Sequence, residues 1–243
     1  MDNNYIFQYW EAIQDGTVTV GKWIKTIYEI LVNGLKSGKW DFDEEKANKA
    51  INFIENFCHH SEGRNDLLKL ELWQKAIVSA IFGIMDKRTG YRQFREVFIV
   101  VARKNGKTLF AAAIAAYMAY IDGEYGAKVY FLAPKLDQAD LVYDAFYQIV
   151  QADDELDSIT KKRRSDIYIK EFNTSVKKIA FNSKKSDGFN PQMVVNDEME
   201  AWQGDQGLKQ YEVMTSALGA RKQPLILSLS LIHISEPTRL ALI

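Results

Sequence analysis

The sequence predicts an α/β fold in which a mainly parallel sheet is flanked by helices and preceded by a helical appendage. Apolar runs typical of buried strands alternate with segments of helical periodicity from residue 97 onward, as in doubly wound folds. Residues 1–69, in contrast, contain only helical patterns. We therefore expect an N-terminal helical appendage over residues 1–69, an α/β domain over residues 70–228 and a separate tail over residues 229–243.

The appendage is predicted to contain three helices. Apolar residues recur every three or four positions over residues 5–13 and again over residues 23–31, and Asp15-Gly16 separates the two runs. Asp43 is a suitable N-cap for a third helix, which we expect to end near His59. The apolar stripe of each helix marks the face that is buried.

The α/β domain is predicted from strands and helices that alternate along the chain. Residues 97–102 form an uninterrupted apolar run, the pattern of a strand that is covered on both faces of a sheet. Helices are expected over residues 70–85, 108–120, 136–150 and 207–218. Strands are expected over residues 97–102, 128–133, 167–169, 176–181, 193–196 and 224–228, with a hairpin turn at Asn173-Thr174.

The composition indicates a globular protein with no global attraction to nucleic acid. The chain has 243 residues, of which 47% are hydrophobic and 26% charged, and this excludes a disordered or fibrous class. Its formal net charge of -1 means that any contact with DNA must come from a local basic patch. The single cysteine, Cys58, excludes an internal disulfide bond, and we expect neither a signal peptide nor a membrane-spanning helix.

A phosphate-binding motif follows the first predicted strand. Residues 97–108 read VFIVVARKNGKT, which combines a strand, a loop with Gly106-Lys107-Thr108 and the start of a helix. In such a loop backbone N–H groups bind phosphate oxygens, Lys107 reaches the β- and γ-phosphates, and the Thr108 hydroxyl ligates Mg²⁺. The match is partial because Val101 stands where the full motif has its first glycine, and an ordinary capped helix is the alternative.

A second motif, Met193–Glu198, is an apolar strand that ends in two carboxylates. This is a Walker B pattern, in which Asp197 holds Mg²⁺ and Glu198 orients and deprotonates the water that attacks the γ-phosphate. Acidic residues at the end of a strand are also common as a solvated exit. Together with the Gly-Lys-Thr loop, the two carboxylates predict an ATP site with Lys107 and Glu198 as catalytic residues.

A third feature, Trp73-Gln74, opens the helix that precedes the first predicted strand. A glutamine amide can pair with the edge of adenine because it donates and accepts hydrogen bonds at once. From the residues alone, an exposed helical glutamine beside a core tryptophan is the simpler interpretation.

A basic run, Lys161–Arg164, also has two interpretations. It could contact DNA phosphates or supply an arginine to the active site of a neighbouring subunit. A solvated loop is the simpler alternative.

The motifs, in their order along the chain, resemble the large terminase subunits of tailed phages. The segments that carry the resemblance are Leu70–Gln74, Val101–Thr108, and Asp187–Pro191 leading into Val194–Glu198. This family commonly has a degenerate P-loop, so the missing glycine at Val101 and the presence of Arg103 agree with the resemblance. The resemblance extends from near Met1 to about Ser228.

The resemblance implies a RecA-like P-loop NTPase that uses ATP and Mg²⁺. It places Thr108 and Asp197 at the metal and Gln74 at the adenine. The residues expected to bind the nucleotide are Trp73, Gln74, Arg103, Lys104, Asn105, Gly106, Lys107 and Thr108.

The resemblance also implies partners and a place of action. Proteins of this family move double-stranded viral DNA into a capsid in the host cytoplasm, as an oligomeric ring that works with a portal protein and a small terminase subunit. They carry a C-terminal RNase H-like nuclease domain, for which we find no downstream cluster of Asp and Glu residues and expect no nuclease activity. The alternatives are a superfamily 2 helicase-like translocase and a nucleotide-binding assembly module that does not hydrolyse ATP.

The tail is predicted to be foreign to the fold. Residues 229–239 read LSLIHISEPTR, which is similar to the translation of a transposase adapter used in sequencing libraries. We expect residues 229–243 to be peripheral, apart from an extension of the preceding strand through residues 229–232 that their apolar character would allow.

Overall fold

The computed structural model describes residues 4–60, 63–102, 104–180, 189–202 and 205–232. These residues form two compact units. The first unit contains residues 4–55 and 69–94, and the second contains the described residues of 56–68 and of 95–232. In the described part of the chain, no helix is long and apolar enough to cross a membrane.

The first unit is built mainly from helices, as predicted. Its elements are α1 (Tyr5–Gln14), α2 (Lys22–Lys36), β1 (Asp41–Phe42), α3 (Glu44–Phe57), α4 (Leu72–Gly83) and β2 (Ile84–Met85). Asn4 caps α1, because its side-chain oxygen accepts a hydrogen bond from the Ile6 N–H at 2.9 Å. Asp43 accepts one from the Lys46 N–H at 3.0 Å, which confirms the predicted cap of α3.

Helix α4 shares its core with the N-terminal helices. Ala76 and Ile84 are fully buried in one apolar cluster with Ile6 and Tyr9 of α1 and Tyr28 of α2. Burying a large apolar side chain contributes about 1.5–3 kcal/mol, so α4 is stabilised by this cluster. Residues 70–94, which were predicted to belong to the α/β domain, therefore group with the first unit.

The second unit is an α/β sheet with helices between its strands. The strands are β3 (Glu96–Ala102), β4 (Lys128–Ala133), β5 (Thr160–Lys162), β6 (Ile167–Ile169), β7 (Thr174–Ala180), β8 (Met193–Asn196) and β9 (Leu225–Ile232). The helices are α5 (Lys107–Tyr120), α6 (Leu136–Ala152), α7 (Asp154–Ile159) and α8 (Asp205–Ala217). Short 3-10 helices follow at Met199–Ala201 and Leu218–Ala220.

The strands of the second unit pair in the order β3-β9-β8-β4-β7-β6-β5. The pairs from β3 to β7 are parallel, whereas β6 and β5 continue the sheet in antiparallel fashion. Strands β8 and β9 thus lie in the interior of the sheet, and β8 is buried along its whole length. Because the parallel strands end at one edge, the loops after β3, β4 and β8 lie along that edge.

Two segments differ from the prediction. Strand β9 continues to Ile232 instead of ending at Ser228, and Leu229 is fully buried and pairs with Ile99 of β3. This is the extension through residues 229–232 that their apolar character allowed, and residues 233–243 lie outside the described residues. The predicted loop at Lys161–Arg164 begins as strand β5, which pairs with β6.

Candidate nucleotide-binding site

The loop between β3 and α5 has the backbone conformation that a phosphate-binding turn requires. Gly106 is the N-cap of α5 and has a φ of 67°, in the left-handed region where a glycine costs least. Lys104 also has a positive φ, 66°, and the Asn105 side-chain amide donates to the Ala102 carbonyl at 3.0 Å. These features close the chain into a tight turn before the helix starts at Lys107.

Helix α5 presents its N-terminus at this turn. The first backbone N–H groups of a helix have no carbonyl partner within it, and the helix dipole adds a partial positive charge there. Lys107 and Thr108 are the first two residues of α5, so this first turn also carries an ammonium and a hydroxyl. The arrangement suits a bound anion such as a phosphate. Arg103, predicted to line the same loop, lies outside the described residues.

Asp197 stands directly after β8 and contacts Lys107 of α5. Lys107 Nζ lies 2.7 Å from Asp197 Oδ1, and the exposed fractions of the two side chains are only 12% and 3%. The Asp197 backbone is fixed on two sides, since its N–H donates to the Leu132 carbonyl at 3.0 Å and its carbonyl accepts from Trp202 Nε1 at 2.9 Å. The structure therefore brings together Lys107 and Asp197 from segments 90 residues apart.

Glu198 adopts a conformation that is uncommon for a residue other than glycine. Its φ is 51° and its ψ is 46°, and its backbone N–H donates to Asp197 Oδ1 at 2.8 Å. Its carboxylate oxygen Oε2 accepts a hydrogen bond from Gln138 Nε2 at 2.5 Å. The sequence patterns did not single out Gln138, because no local spacing links it to Glu198.

A buried polar pair supports the strand that carries the carboxylates. Asn196 Nδ2 donates to Ser228 Oγ at 3.1 Å, and the two residues are 1% and 4% exposed. Both lie within interior strands, where a polar side chain needs a partner to offset its loss of water. Residues that hold the site thus come from β8 and from the adjacent β9.

The family model of the terminase large subunit ATPase domain matches residues 72–232. The chain belongs to this family. The predicted family, the RecA-like class of fold and the assignment as an ATPase domain are thereby confirmed. The match gives no support to the alternative of a superfamily 2 helicase.

Solved terminase structures resemble this chain to different degrees. The large terminase of bacteriophage HK97 is 25% identical, with a TM-score of 0.65, and the alignment covers 76% of this chain and 37% of that one. The large terminase ATPase domain of Thermus phage P74-26 is 15% identical, with a TM-score of 0.46, over 59% of this chain and 62% of that one. A comparison with curated proteins found no match. The chain thus spans well under two thirds of the HK97 terminase.

In this terminase ATPase domain Gln74 has a structural role at the start of α4. Its Oε1 accepts a hydrogen bond from the Glu71 N–H at 2.9 Å, and the Glu71 side chain accepts one from the Gln74 N–H, which completes a capping box. Gln74 is 8% exposed. A carboxamide has two donors and a second lone pair left after this contact, so the predicted contacts of Trp73 and Gln74 with adenine stay predictions.

Phe189 and Asn190, which precede β8, make contacts that fix the start of this strand. The Phe189 ring meets Tyr130 edge to face, with centroids 5.2 Å apart. Asn190 Oδ1 accepts a hydrogen bond from Arg221 Nε at 2.9 Å, and Arg221 Nη2 donates to the Gly126 carbonyl at 2.7 Å. These contacts fix the start of β8. Asp187 and Gly188 of the same motif lie outside the described residues.

The basic run at the edge of the sheet is partly engaged in local contacts. Arg163 donates to both carboxylate oxygens of Asp166, at 2.7 and 2.6 Å, and its guanidinium lies 4.1 Å from the centroid of the Tyr168 ring. The Lys162 ammonium lies 4.1 Å from the centroid of the Tyr147 ring. These contacts stabilise the hairpin of β5 and β6, and charged residues also protect an edge strand from pairing with other chains.

Proposed function

We propose that this chain is the ATP-hydrolysing motor domain of a viral DNA-packaging terminase. The observation that carries the proposal is the 2.7 Å contact between Lys107 and Asp197, at the N-terminus of α5 and beside Glu198. A lysine, a hydroxyl and two carboxylates at one edge of a parallel sheet are the groups that P-loop NTPases use on a nucleoside triphosphate.

Lys107 and Thr108 are proposed to bind the triphosphate together with the loop before them. The free N–H groups of α5 receive phosphate oxygens, and the ammonium of Lys107 neutralises charge that grows on the γ-phosphate during transfer. Lys107 is paired with Asp197 in this structure, so a phosphate that binds here has to replace Asp197 as the partner of the Lys107 ammonium. Arg103, Lys104, Asn105 and Gly106 complete the proposed loop.

The residues beside the loop fit a magnesium ion. The Thr108 hydroxyl and the Asp197 carboxylate offer the oxygen ligands that Mg²⁺ prefers. Asp197 is only 2% exposed, and a buried carboxylate needs a positively charged partner to offset its loss of water. Bound there, Mg²⁺ would neutralise the phosphate oxygens. Glu198 is proposed as the general base that accepts a proton from the attacking water.

The wider role of the domain is proposed from its family. Coupling of ATP hydrolysis to movement of double-stranded viral DNA, assembly into a ring, and work with a portal protein and a small terminase subunit in the host cytoplasm all belong to this proposal. Their support is the family match over residues 72–232 and the likeness to the HK97 terminase. Trp73 and Gln74 are proposed to contact the adenine.

Phosphate release and nucleotide binding, measured side by side on the 243-residue chain, test the proposal. We expect phosphate release from ATP that requires Mg²⁺ and is accelerated by double-stranded DNA. Lys107→Met should weaken binding of a fluorescent ATP analogue by about tenfold or more, because it removes the cation that pairs with the phosphates. Lys170→Met, the same change at an exposed lysine outside the loop, serves as the control.

Two results would contradict the proposal in different ways. Tight nucleotide binding without any phosphate release would identify a nucleotide-binding assembly module. Phosphate release that is unchanged in Lys107→Met would show that another part of the chain binds the triphosphate.

A further inference from the structure

The first turn of α6 lies beside the Walker B carboxylates because of the order of the strands. Strand β4 pairs with β8 so that Leu132 is opposite Asn196, and the Leu132 carbonyl accepts the Asp197 N–H at 3.0 Å. Helix α6 begins at Leu136, shortly after β4 ends at Ala133. Because the two strands are parallel and paired in this register, the first turn of α6 lies next to the residues that follow β8.

Gln138 is the third residue of α6, where a glutamine often serves the helix itself. In a capping box the carbonyl oxygen of this glutamine accepts the backbone N–H of the N-cap residue. Here the N-cap is Lys135, which makes no side-chain capping bond, and Gln138 Oε1 is buried without a hydrogen-bond partner among the described residues. The amide is instead directed at the site, where Nε2 donates to Glu198 Oε2 at 2.5 Å.

Glu198 is held by contacts at both its backbone and its side chain. Its left-handed backbone is disfavoured for a residue with a Cβ and persists where neighbouring groups fix it. The Glu198 N–H is bound by Asp197 at 2.8 Å, and the carboxylate is bound by Gln138. The bond from Gln138 engages Oε2 and not Oε1, so the orientation of the carboxylate is fixed through one of its two oxygens.

We propose that Gln138 is a positioning residue, which orients the Glu198 carboxylate so that its other oxygen accepts the proton of the attacking water. This inference rests on the proposed ATPase site. Gln138 acts only through Glu198, and it contributes to the rate by fixing the base and not by binding the nucleotide. Orientation of a reacting group changes the rate of the chemical step, whereas affinity for the substrate stays the same.

Steady-state kinetics of Gln138→Met test the proposal, since methionine has a similar size and cannot donate a hydrogen bond. We expect kcat to fall about tenfold while KM and the affinity for a fluorescent ATP analogue stay within about twofold, because a general base contributes about 10²–10⁴ and only its orientation is lost. Gln148→Met is the matched control, because Gln148 is an exposed residue of the same helix. It should behave as the unmodified chain does.

A double variant shows whether Gln138 acts through Glu198. In the background of Glu198→Gln the base is already absent, so adding Gln138→Met should lower the residual rate by less than about twofold. A second variant, Gln138→Leu, guards against a folding defect of the first, because its side chain has a different shape and also cannot donate a hydrogen bond. It should also lower kcat with KM unchanged.

The outcomes separate this inference from the proposed function. If the unmodified chain releases no phosphate, the proposed function is wrong. If it does and Gln138→Met equals Gln148→Met, or turns over faster, then the positioning role is wrong while the ATPase assignment stands. A full tenfold loss on top of Glu198→Gln would also overturn the inference, since Gln138 would then act independently of Glu198.

Discussion

Gln74 and Gln138 occupy the same position of two helices and are used in different ways. Each is the third residue of its helix, α4 in the first unit and α6 in the second. Gln74 turns back on its own helix and accepts the Glu71 N–H at 2.9 Å. Gln138 reaches a residue 60 positions away and donates to Glu198 at 2.5 Å.

The difference follows from the residue at the N-cap. Glu71 has a carboxylate that accepts the Gln74 N–H, so the two residues form a reciprocal pair and the glutamine is held locally. Lys135 has no acceptor in its side chain, so the half of a capping box in which the N-cap side chain accepts the Gln138 N–H is missing at α6. A glutamine in the first turn is thus available to a functional site when its helix lacks a capping partner.

The largest effect is expected from the partner of Gln138. Glu198→Gln should lower kcat for ATP by about 10²–10³, because an amide cannot accept a proton from water, while binding of a fluorescent ATP analogue persists. Single-turnover phosphate release measures the chemical step. A turnover near that of the unmodified chain would remove Glu198 from the mechanism, and the contact of Gln138 would then be structural like that of Gln74.

A smaller effect is expected from replacing Gln74, and it concerns two quantities, the free energy of unfolding and the affinity for ATP. Gln74→Met leaves the Glu71 N–H without its acceptor and should lower the free energy of unfolding by about 1 kcal/mol, measured by urea denaturation. If Gln74 also contacts adenine, affinity for ATP should fall about tenfold, since tenfold corresponds to 1.4 kcal/mol, while affinity for GTP is unchanged. Equal affinities in variant and unmodified chain would leave Gln74 with its capping role alone.

The fold could be predicted where local pattern and burial agree. Strands β4 and β8 have the predicted bounds, because each is an apolar run closed by a residue that cannot continue it. The sequence did not predict β5, which is three residues long and contains Lys161 and Lys162. A strand this short and polar is fixed by its neighbour β6 and carries no periodicity of its own.

The site could be predicted only in part, for a related reason. Lys107 and Asp197 lie in two motifs that each follow a predicted strand, and parallel strands end at one edge of a sheet, which brings the two residues into contact. The contact of Gln138 with Glu198 depends on the register of β4 against β8, which no segment of the sequence encodes by itself. Asn196 and Ser228 were missed likewise, because a small polar residue in a mainly apolar strand does not show which partner it has.

The smallest effect is expected from giving α6 the capping partner that it lacks. Lys135→Ser places a hydroxyl at the N-cap and creates a capping box with Gln138, whose Oε1 now has no partner among the described residues. Stability should rise by about 0.5–1 kcal/mol, as for a gained N-cap. Because the glutamine is then drawn toward its own helix, as Gln74 is, kcat should fall about threefold, a fraction of the loss in Gln138→Met.

Lys135→Ala, which removes the same charge without adding an acceptor, should leave both the stability and kcat near their original values. If the serine variant becomes more stable at unchanged kcat, then Gln138 keeps its bond to Glu198 in competition with a cap, and the N-cap residue does not decide how such a glutamine is used.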